Sequence, residues 1–247
     1  MSNRFWEIDA VRGVAIMMMV IYHFVYDLDY FGVTDVVYAD PFWFYFQRVT
    51  ATTFIVLVGV SLTISNAKFV QQGINGRALF WMFLQRGASI FAWGLVITLI
   101  TWLTLGAERA VRFGILHFIG TSIVLAFPFL KGRWTNVTLG VLCIYIGKML
   151  QAQTFSFSGL LWLGFEPANH QSVDYFPLIP WFGVVLIGIA LGNILYRDLK
   201  RQFSLPELSH VLPVSLLQLM GRHSLVLYLI HQPFLFAGFM LVFFLMP

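Results

Sequence analysis

Long apolar runs alternate with short polar breaks along the chain, and within each run the apolar positions are continuous rather than alternating. A helix needs about 20 mostly apolar residues to cross the hydrocarbon core of a bilayer. Seven segments qualify: residues 13–30, 42–65, 78–105, 113–130, 134–150, 176–196 and 223–246. Continuous runs argue against strands, and backbone polar groups in lipid must be paired within helices or a closed barrel. The run at 78–105 is longer than one span needs and is expected to tilt or to extend past the surface. Residues 155–165 are too few to cross and suit a re-entrant or interfacial segment. The pattern predicts an all-α, polytopic transmembrane helical bundle of about seven spans, forming a single domain over residues 1–247. No loop exceeds about 30 residues, so none is expected to fold as a separate soluble domain.

Composition agrees with lipid as part of the solvent. The 247 residues are 59% hydrophobic and 11% charged, with a mean hydropathy of +0.81. Soluble domains carry about 25% charged residues. Aromatic residues make up 17% and include 26 Phe, which suits lipid-facing surfaces and interfacial belts. Residues Arg4, Glu7, Asp9 and Arg12 precede the first apolar run, and no small-residue cleavage pattern follows it. That run is therefore expected to stay as the first span rather than be removed as a signal peptide. Cys143 is the one cysteine, so no disulfide or cysteine-based metal site forms within a single chain.

A net charge of +4 invites a nucleic-acid reading, but membrane topology accounts for it better. With the N-terminus inside, the inner segments hold ten basic residues: Arg4, Arg12, Lys68, Arg77, Lys131, Arg133, Arg197, Lys200, Arg201 and Arg222. The outer loops hold three, Arg109, Arg112 and Lys148, while Arg48 and Arg86 fall within spans. This bias predicts N-inside, C-outside. The expected partners are the bilayer and a small-molecule or glycan acceptor, with no nucleic acid; self-association into a homo-oligomer is left open.

A charge near the bilayer centre costs about 2.5–3.5 kcal/mol even on insertion scales, so each polar group inside a span calls for an explanation. His23 and Asp27 are four residues apart and share one face of the first span. A carboxylate near an imidazole supports general-base chemistry; a packing contact is the bland reading. Arg48 and Arg86 lie roughly two turns inside their spans, where arginine either snorkels or faces the bundle and binds an anion. His117 sits in Gly-Ile-Leu-His-Phe-Ile-Gly, from Gly114 to Gly120, where the glycines allow close helix approach. It is a candidate for catalysis or a buried, satisfied histidine. Ser224, Tyr228 and His231 form a polar stripe on the last span, and Pro233 interrupts its backbone donors. Asp174 leads into the sixth span through two prolines, Pro177 and Pro180, and is placed to touch a polar substrate or simply to be solvated. Gly188 and Gly192 form a helix-packing motif. Asp9 and Arg12 can pair locally, or Arg12 can meet a cytosolic phosphate. No phosphate-binding loop, dinucleotide fingerprint or HExxH stands in the chain, and the six histidines are dispersed, so no metal is expected.

Several of these segments resemble the heparan-α-glucosaminide N-acetyltransferase catalytic-domain family, in its prokaryotic branch. The opening Arg-Phe-Trp-Glu-Ile-Asp-Ala-Val-Arg-Gly, starting at Arg4, looks like the family's first motif. The Gly114 to Gly120 element, the Asp-Tyr-Phe-Pro-Leu-Ile-Pro-Trp-Phe-Gly run from Asp174, and Ser-Leu-Val-Leu-Tyr-Leu-Ile-His from Ser224 to His231 are similar to further family elements. The resemblance implies a multi-pass acyltransferase of a prokaryotic plasma (inner) membrane. Its donor would be cytosolic acetyl-CoA and its acceptor a sugar amine or hydroxyl outside. In the lysosomal member, an asparagine in the first span and a histidine in the following loop are implicated in catalysis. His23 falls at that asparagine's position, and the first loop, residues 31–40, contains no histidine. The chain is also shorter than the lysosomal enzyme.

Together these readings assign catalysis to His23, Asp27, His117 and His231. Arg86 and Arg12 are expected to bind the anionic part of CoA, and Arg48, Asp174 and Tyr228 to contact the acceptor. Transfer is expected either directly or through an acetyl-histidine. Intramembrane Asp, Arg and His also mark ion pathways, so a proton- or ion-coupled transporter is the alternative. A non-catalytic partner of a cell-envelope complex is the third reading.

Overall fold

A computed structural model describes residues 4–245. Among these residues the ordered structure is helical, and the only β pairing is two isolated bridges, Phe113 with Tyr175 and Phe155 with Pro167. The α-helices are α1 (Trp6–Tyr30), α2 (Val36–Ala39), α3 (Pro41–Gln71), α4 (Gly76–Leu105), α5 (Ile115–Leu125), α6 (Trp134–Gln151), α7 (Leu178–Leu195), α8 (Leu212–Arg222) and α9 (Ser224–Leu245).

Five helices among the described residues are long and apolar enough to cross a membrane: Trp6–Tyr30, Pro41–Gln71, Gly76–Leu105, Leu178–Leu195 and Ser224–Phe243. The last residue expected in the final span, Met246, lies outside the described residues. The segments 113–130 and 134–150 differ from the other five. In the first, α5 has only 11 residues. Its rise of about 16 Å is roughly half the hydrocarbon thickness. The cause is local. Phe113 is drawn into a backbone bridge with Tyr175, and Gly114 is extended, so the helix starts late. A 3₁₀ turn, Phe127–Phe129, then replaces the α-helix where Pro128 lacks a donor. Helix α6 has 18 residues but carries Asn136 and Lys148, which lower its apolarity. Residues 155–165 do not form an α-helix; they carry a 3₁₀ turn, Leu161–Leu163, within a folded loop.

The large side chains show how lipid enters the balance. Trp81, Leu99 and Leu103 on α4, and Phe234 and Leu241 on α9, are all more than half exposed. In water that surface would be unfavourable at about 25 cal/mol per Å²; against lipid chains it is matched.

The chain divides into two compact units. The first comprises the described residues up to Phe54 together with those from Ser204 onward. Its centre is α1, which packs on α8 and α9. Two glycines set the α1–α8 spacing: a Cβ on Gly13 would lie 2.0 Å from the Leu217 carbonyl oxygen, and one on Gly221 would lie 1.8 Å from that of Asp9. The α1–α9 seam is aromatic toward the C-terminal end of α1, where Phe31 stacks on Phe239 and Phe243.

The second unit, Ile55–Phe203, is built from two helix pairs, α4 with α5 and α6 with α7. Both pairs cross at facing glycines. A Cβ on Gly87 would meet the Gly120 carbonyl oxygen at 2.6 Å, and one on Gly140 would meet that of Gly183 at 2.7 Å. The Gly188 and Gly192 motif does pack a helix: Gly188 lies against the Val56 backbone and Gly192 against Thr63, both on α3. The turn between α5 and α6 is held by two buried or half-buried amides. Asn136 donates to the carbonyls of Phe129 and Gly132, and Asn193 to those of Leu130 and Gly132.

Candidate active site

In the first unit, α1 and α9 bring His23 and His231 together. Their rings meet edge to face with centroids 4.7 Å apart. Each ring is oriented by a carbonyl one turn back on its own helix. His23 Nδ1 lies 2.9 Å from the Met19 oxygen, and His231 Nδ1 lies 2.7 Å from the Tyr228 oxygen. A carbonyl only accepts, so both Nδ1 atoms carry the proton. In the neutral rings both Nε2 atoms are therefore left with a free lone pair, the form a general base or a nucleophile needs. His231 Nε2 is buried and has no hydrogen-bond partner among the described residues.

Asp27 lies one turn beyond His23 and is only 1% exposed. Its partner is Gln232 rather than His23: Gln232 Nε2 donates to Asp27 Oδ1 at 2.7 Å. The second carboxylate oxygen, Oδ2, is buried without a partner among the described residues, as is Gln232 Oε1. The α1–α9 seam thus collects acceptor atoms in want of donors. Buried polar groups are rarely left so, and the chemical complement of this set is a hydroxyl or an amine. Tyr228 belongs to the same cluster, its ring 5.8 Å from that of His231. Tyr22 packs edge-on to His23 and toward Trp43.

At the N-terminal end of α1, Asp9 gathers three guanidinium groups. Arg12 approaches at 3.1 Å, Arg222 at 3.4 Å and Arg4 at 3.7 Å. Arg222 also donates to Gln218, and Gln218 to the Ser209 carbonyl. Three cations around one carboxylate leave a positive surplus, which suits an anionic group such as a phosphate. Arg12 was legible as part of this site; Arg4 and Arg222 were not, because Arg222 is distant in sequence and comes near only through the α1–α8 contact. Arg48 is exposed and lies over the Phe44 ring at 4.2 Å, a cation–π contact along its own helix.

The second unit holds the remaining candidates. Arg86, on α4, has one polar contact, its Nη1 3.4 Å from Ser65 Oγ, and no carboxylate partner among the described residues. His117 is 2% exposed and both its nitrogens are occupied. Thr98 donates to the Val111 carbonyl at 2.5 Å, so the Thr98 oxygen receives the proton of His117 Nε2 at 3.3 Å. The Gly114 amide donates to His117 Nδ1 at 3.3 Å. Phe91 and Phe113 flank the ring. This arrangement positions the start of α5. Asp174 serves the same helix end: its Oδ2 accepts from the Ile115 amide at 3.0 Å, among the donors that a helix N-terminus leaves unpaired. Among the described residues no group of three or more His, Cys, Asp and Glu side chains is arranged to hold a metal ion.

These elements coincide with the span of a family match. The model of the heparan-alpha-glucosaminide N-acetyltransferase catalytic family aligns with residues 4–233, from the Arg4 that approaches Asp9 to just beyond Gln232. No curated protein sequence matches the chain, and no solved structure does. With its helices apolar enough to span a membrane and nearly its full length aligned, the chain belongs to the heparan-alpha-glucosaminide N-acetyltransferase catalytic family.

Proposed function

We propose that the protein is a multi-pass plasma-membrane acyltransferase that moves an acetyl group from cytosolic acetyl-CoA to a hydroxyl or amine of a sugar on the outer side. The observation that carries this reading is the His23–His231 pair, with two unprotonated Nε2 atoms beside the unpartnered acceptors of Asp27 and Gln232. The family match supplies the reaction class. The excess of inner Lys and Arg supports an inside N-terminus and an outside C-terminus. On that topology the Asp9 cluster faces the cytosol, where its surplus charge suits the phosphates of CoA.

His23 Nε2 accepts the proton of the acceptor's hydroxyl or amine as that atom bonds to the thioester carbonyl carbon. The carbon–sulfur bond breaks, and the proton leaves through the paired imidazoles to the departing thiolate. Asp27 and Gln232 hold the acceptor's remaining donors and fix its approach. If His23 attacks first, the carbon–sulfur bond breaks as its Nε2 takes the acetyl group and CoA leaves as the thiolate; the acceptor then bonds to the acetyl carbon, the bond to His23 Nε2 breaks, and His231 Nε2 takes the acceptor's proton. Arg12, Arg4 and Arg222 bind the anionic donor, and Arg86 provides a further cation on α4.

The test is incubation of purified protein with labelled acetyl-CoA and a panel of glycans, followed by mass spectrometry of protein and products. Acetylated glycan from the wild type, and none from His23→Ala, is the expected result. Turnover retained by His23→Ala removes that residue from the chemistry. A label on His23 after donor alone identifies the two-step route.

A further inference from the structure

Helix α8 carries its polar and apolar sides the opposite way round from a helix of a water-soluble fold. Leu212, Leu216 and Leu219 recur at i, i+4 and i+7, form one stripe, and are each more than half exposed. Val211, just before them, is exposed as well. The inward side is polar. Gln218 is buried, Gly221 lies on the α1 backbone, and Arg222 reaches Asp9. An amphipathic helix beside water turns its apolar stripe to the core. A stripe turned outward has an apolar medium on that side.

The register against α1 sets the depth. Gly221 of α8 meets Asp9, and Gly13 of α1 meets Leu217, so four residues forward on one helix match four residues back on the other. The two helices are antiparallel, and continuing the register brings Leu212 level with Met18. The apolar run of α1 begins at Gly13, so Leu212 lies about 8 Å beyond that point at 1.5 Å per residue. Arg222, at the other end of α8, stands by Asp9 at the charged start of α1. Helix α9 then runs back alongside α1, through the His23–His231 and Phe31–Phe243 contacts. Irregular backbone at membrane depth must have its polar groups paired within the protein, and the turn leading into α8 meets that demand. The Ser209 carbonyl accepts from Gln218 Nε2 at 3.1 Å, the Ser209 amide donates to a Glu207 carboxylate oxygen at 3.2 Å, and the Val211 amide donates to the Leu208 carbonyl at 3.0 Å.

We propose that α8 is a half-span helix inserted into the leaflet at the N-terminal end of α1, with Leu212 and Leu216 packed against acyl chains and Leu219 at the headgroup boundary. The segment between α7 and α9, which the count of basic residues leaves between spans, enters the hydrocarbon here. Lipid is the occupant rather than a second copy of the chain, because one stripe of three side chains falls short of the roughly 800 Å² per partner that a stable protein interface buries. Lipid on one side and α1 on the other hold Arg222 at Asp9. The inference rests on packing and does not need the acyltransferase reading.

The test uses the full chain in lipid nanodiscs without substrate. Leu212→Cys, Leu216→Cys and Leu219→Cys are made singly and labelled with a nitroxide, and the signal of the wild-type chain, labelled at its half-buried Cys143, is subtracted. All three positions are exposed, so the labels leave the packing against α1 intact. Leu241→Cys on α9 and Lys200→Cys, both at exposed positions, serve as lipid and water references. Power saturation is measured with oxygen, which concentrates in the bilayer, and with a nickel chelate, which stays in water. Labels at Leu212 and Leu216 are expected to favour oxygen as Leu241 does, with depth falling by about 10 Å from Leu212 to Leu219. A preference for the nickel chelate at Leu212 and Leu216, or equal depth at all three positions, overturns the proposal. Shielding from both reagents, with spin–spin broadening that unlabelled chain dilutes away, would assign the stripe to a second copy and overturn it as well. The presence or absence of acetyl transfer does not enter these depths, so the two readings fail separately.

Discussion

His23 on α1 and His231 on α9 face each other edge-on at 4.7 Å, and each turns its Nδ1 to a carbonyl of its own helix. The backbone therefore sets the tautomer, with no carboxylate required. Asp27 is released from the orienting part that a His–Asp spacing of four suggests, and it is joined instead to Gln232. The pair and the amide–carboxylate bond together form one polar seam between two apolar helices.

Replacing either member of the pair should remove a proton acceptor while leaving the helices packed. His23→Ala and His231→Ala are each expected to lower acetyl transfer by about 100-fold or more, within the range for general-base catalysis. Size-exclusion profiles in detergent should match the wild type. Asp27→Leu differs in kind, because it leaves the Gln232 amide without its acceptor. A loss of about 1–3 kcal/mol in stability is expected, read as a lower unfolding midpoint, whereas Asp27→Asn should keep the fold and lose rate.

The α1–α8 crossing predicts a steric result that can be measured without any substrate. Gly221→Ala places a methyl group where the Asp9 carbonyl oxygen stands 1.8 Å away, and Gly13→Ala does the same against Leu217 at 2.0 Å. Each should destabilise the protein by about 1–3 kcal/mol through backbone displacement. Gly238 on α9 has nothing within 4 Å of its added Cβ. Gly238→Ala should leave the thermal midpoint unchanged or slightly raised, and equal effects at all three sites would contradict the crossing described.

The start of α5 should respond in stability rather than in chemistry. His117→Ala removes a buried ring and strips the Gly114 amide and Thr98 of a partner. Asp174→Ala removes the acceptor of the Ile115 amide, a loss of about 1 kcal/mol if it behaves as a helix cap. Both variants are expected to lower the melting temperature while kcat per folded molecule is retained. A collapse of kcat at an unaltered melting temperature would instead assign His117 or Asp174 to the reaction.

The loop between α6 and α7 should loosen in mild acid. Burial, and then the charge of Arg112, hold the His170 imidazole below its usual value of 6.5. Between that value and the lower folded one, the unfolded chain binds more protons than the folded chain. The stability tied to neutral His170 is therefore whole above pH 6.5 and declines as the pH falls below it. Glu166 acts with the opposite sign, since burial raises its carboxyl above the usual range and its ionisation with rising pH costs stability. Protection against hydrogen exchange across residues 152–177, relative to the intrinsic rate at each pH, should fall as the pH is lowered from 7.5 to below 6.5, and His170→Gln should flatten that response. An imidazole NMR titration of His170 with its midpoint above 6.5 would contradict the assignment.

Some of this was readable along the chain, because it depends on properties each residue carries alone or shares with a helical neighbour. Membrane character follows from summed apolarity. The placing of His23 and Asp27 on one face, and the packing use of Gly188 and Gly192, follow from helical periodicity. The adjacency of His231, Gln232 and Pro233 in an apolar run marked the second half of the seam, though Gln232 went unassigned as a partner. The extent of α5 was not readable, because its start is set by a backbone bridge from Phe113 to Tyr175, distant in sequence.

Apolarity and period, summed over short windows, determined from sequence alone that the chain is a helical membrane protein and which residues stand out as polar within it. Tertiary structure decided which polar groups meet: His23 with His231, Asp27 with Gln232, Asp9 with Arg222, and His117 with Thr98. The physical reason is range. A hydrogen bond or ring contact is set over a few ångströms in space, and the packing of distant helices on backbone-to-backbone glycine contacts determines which side chains come within that reach.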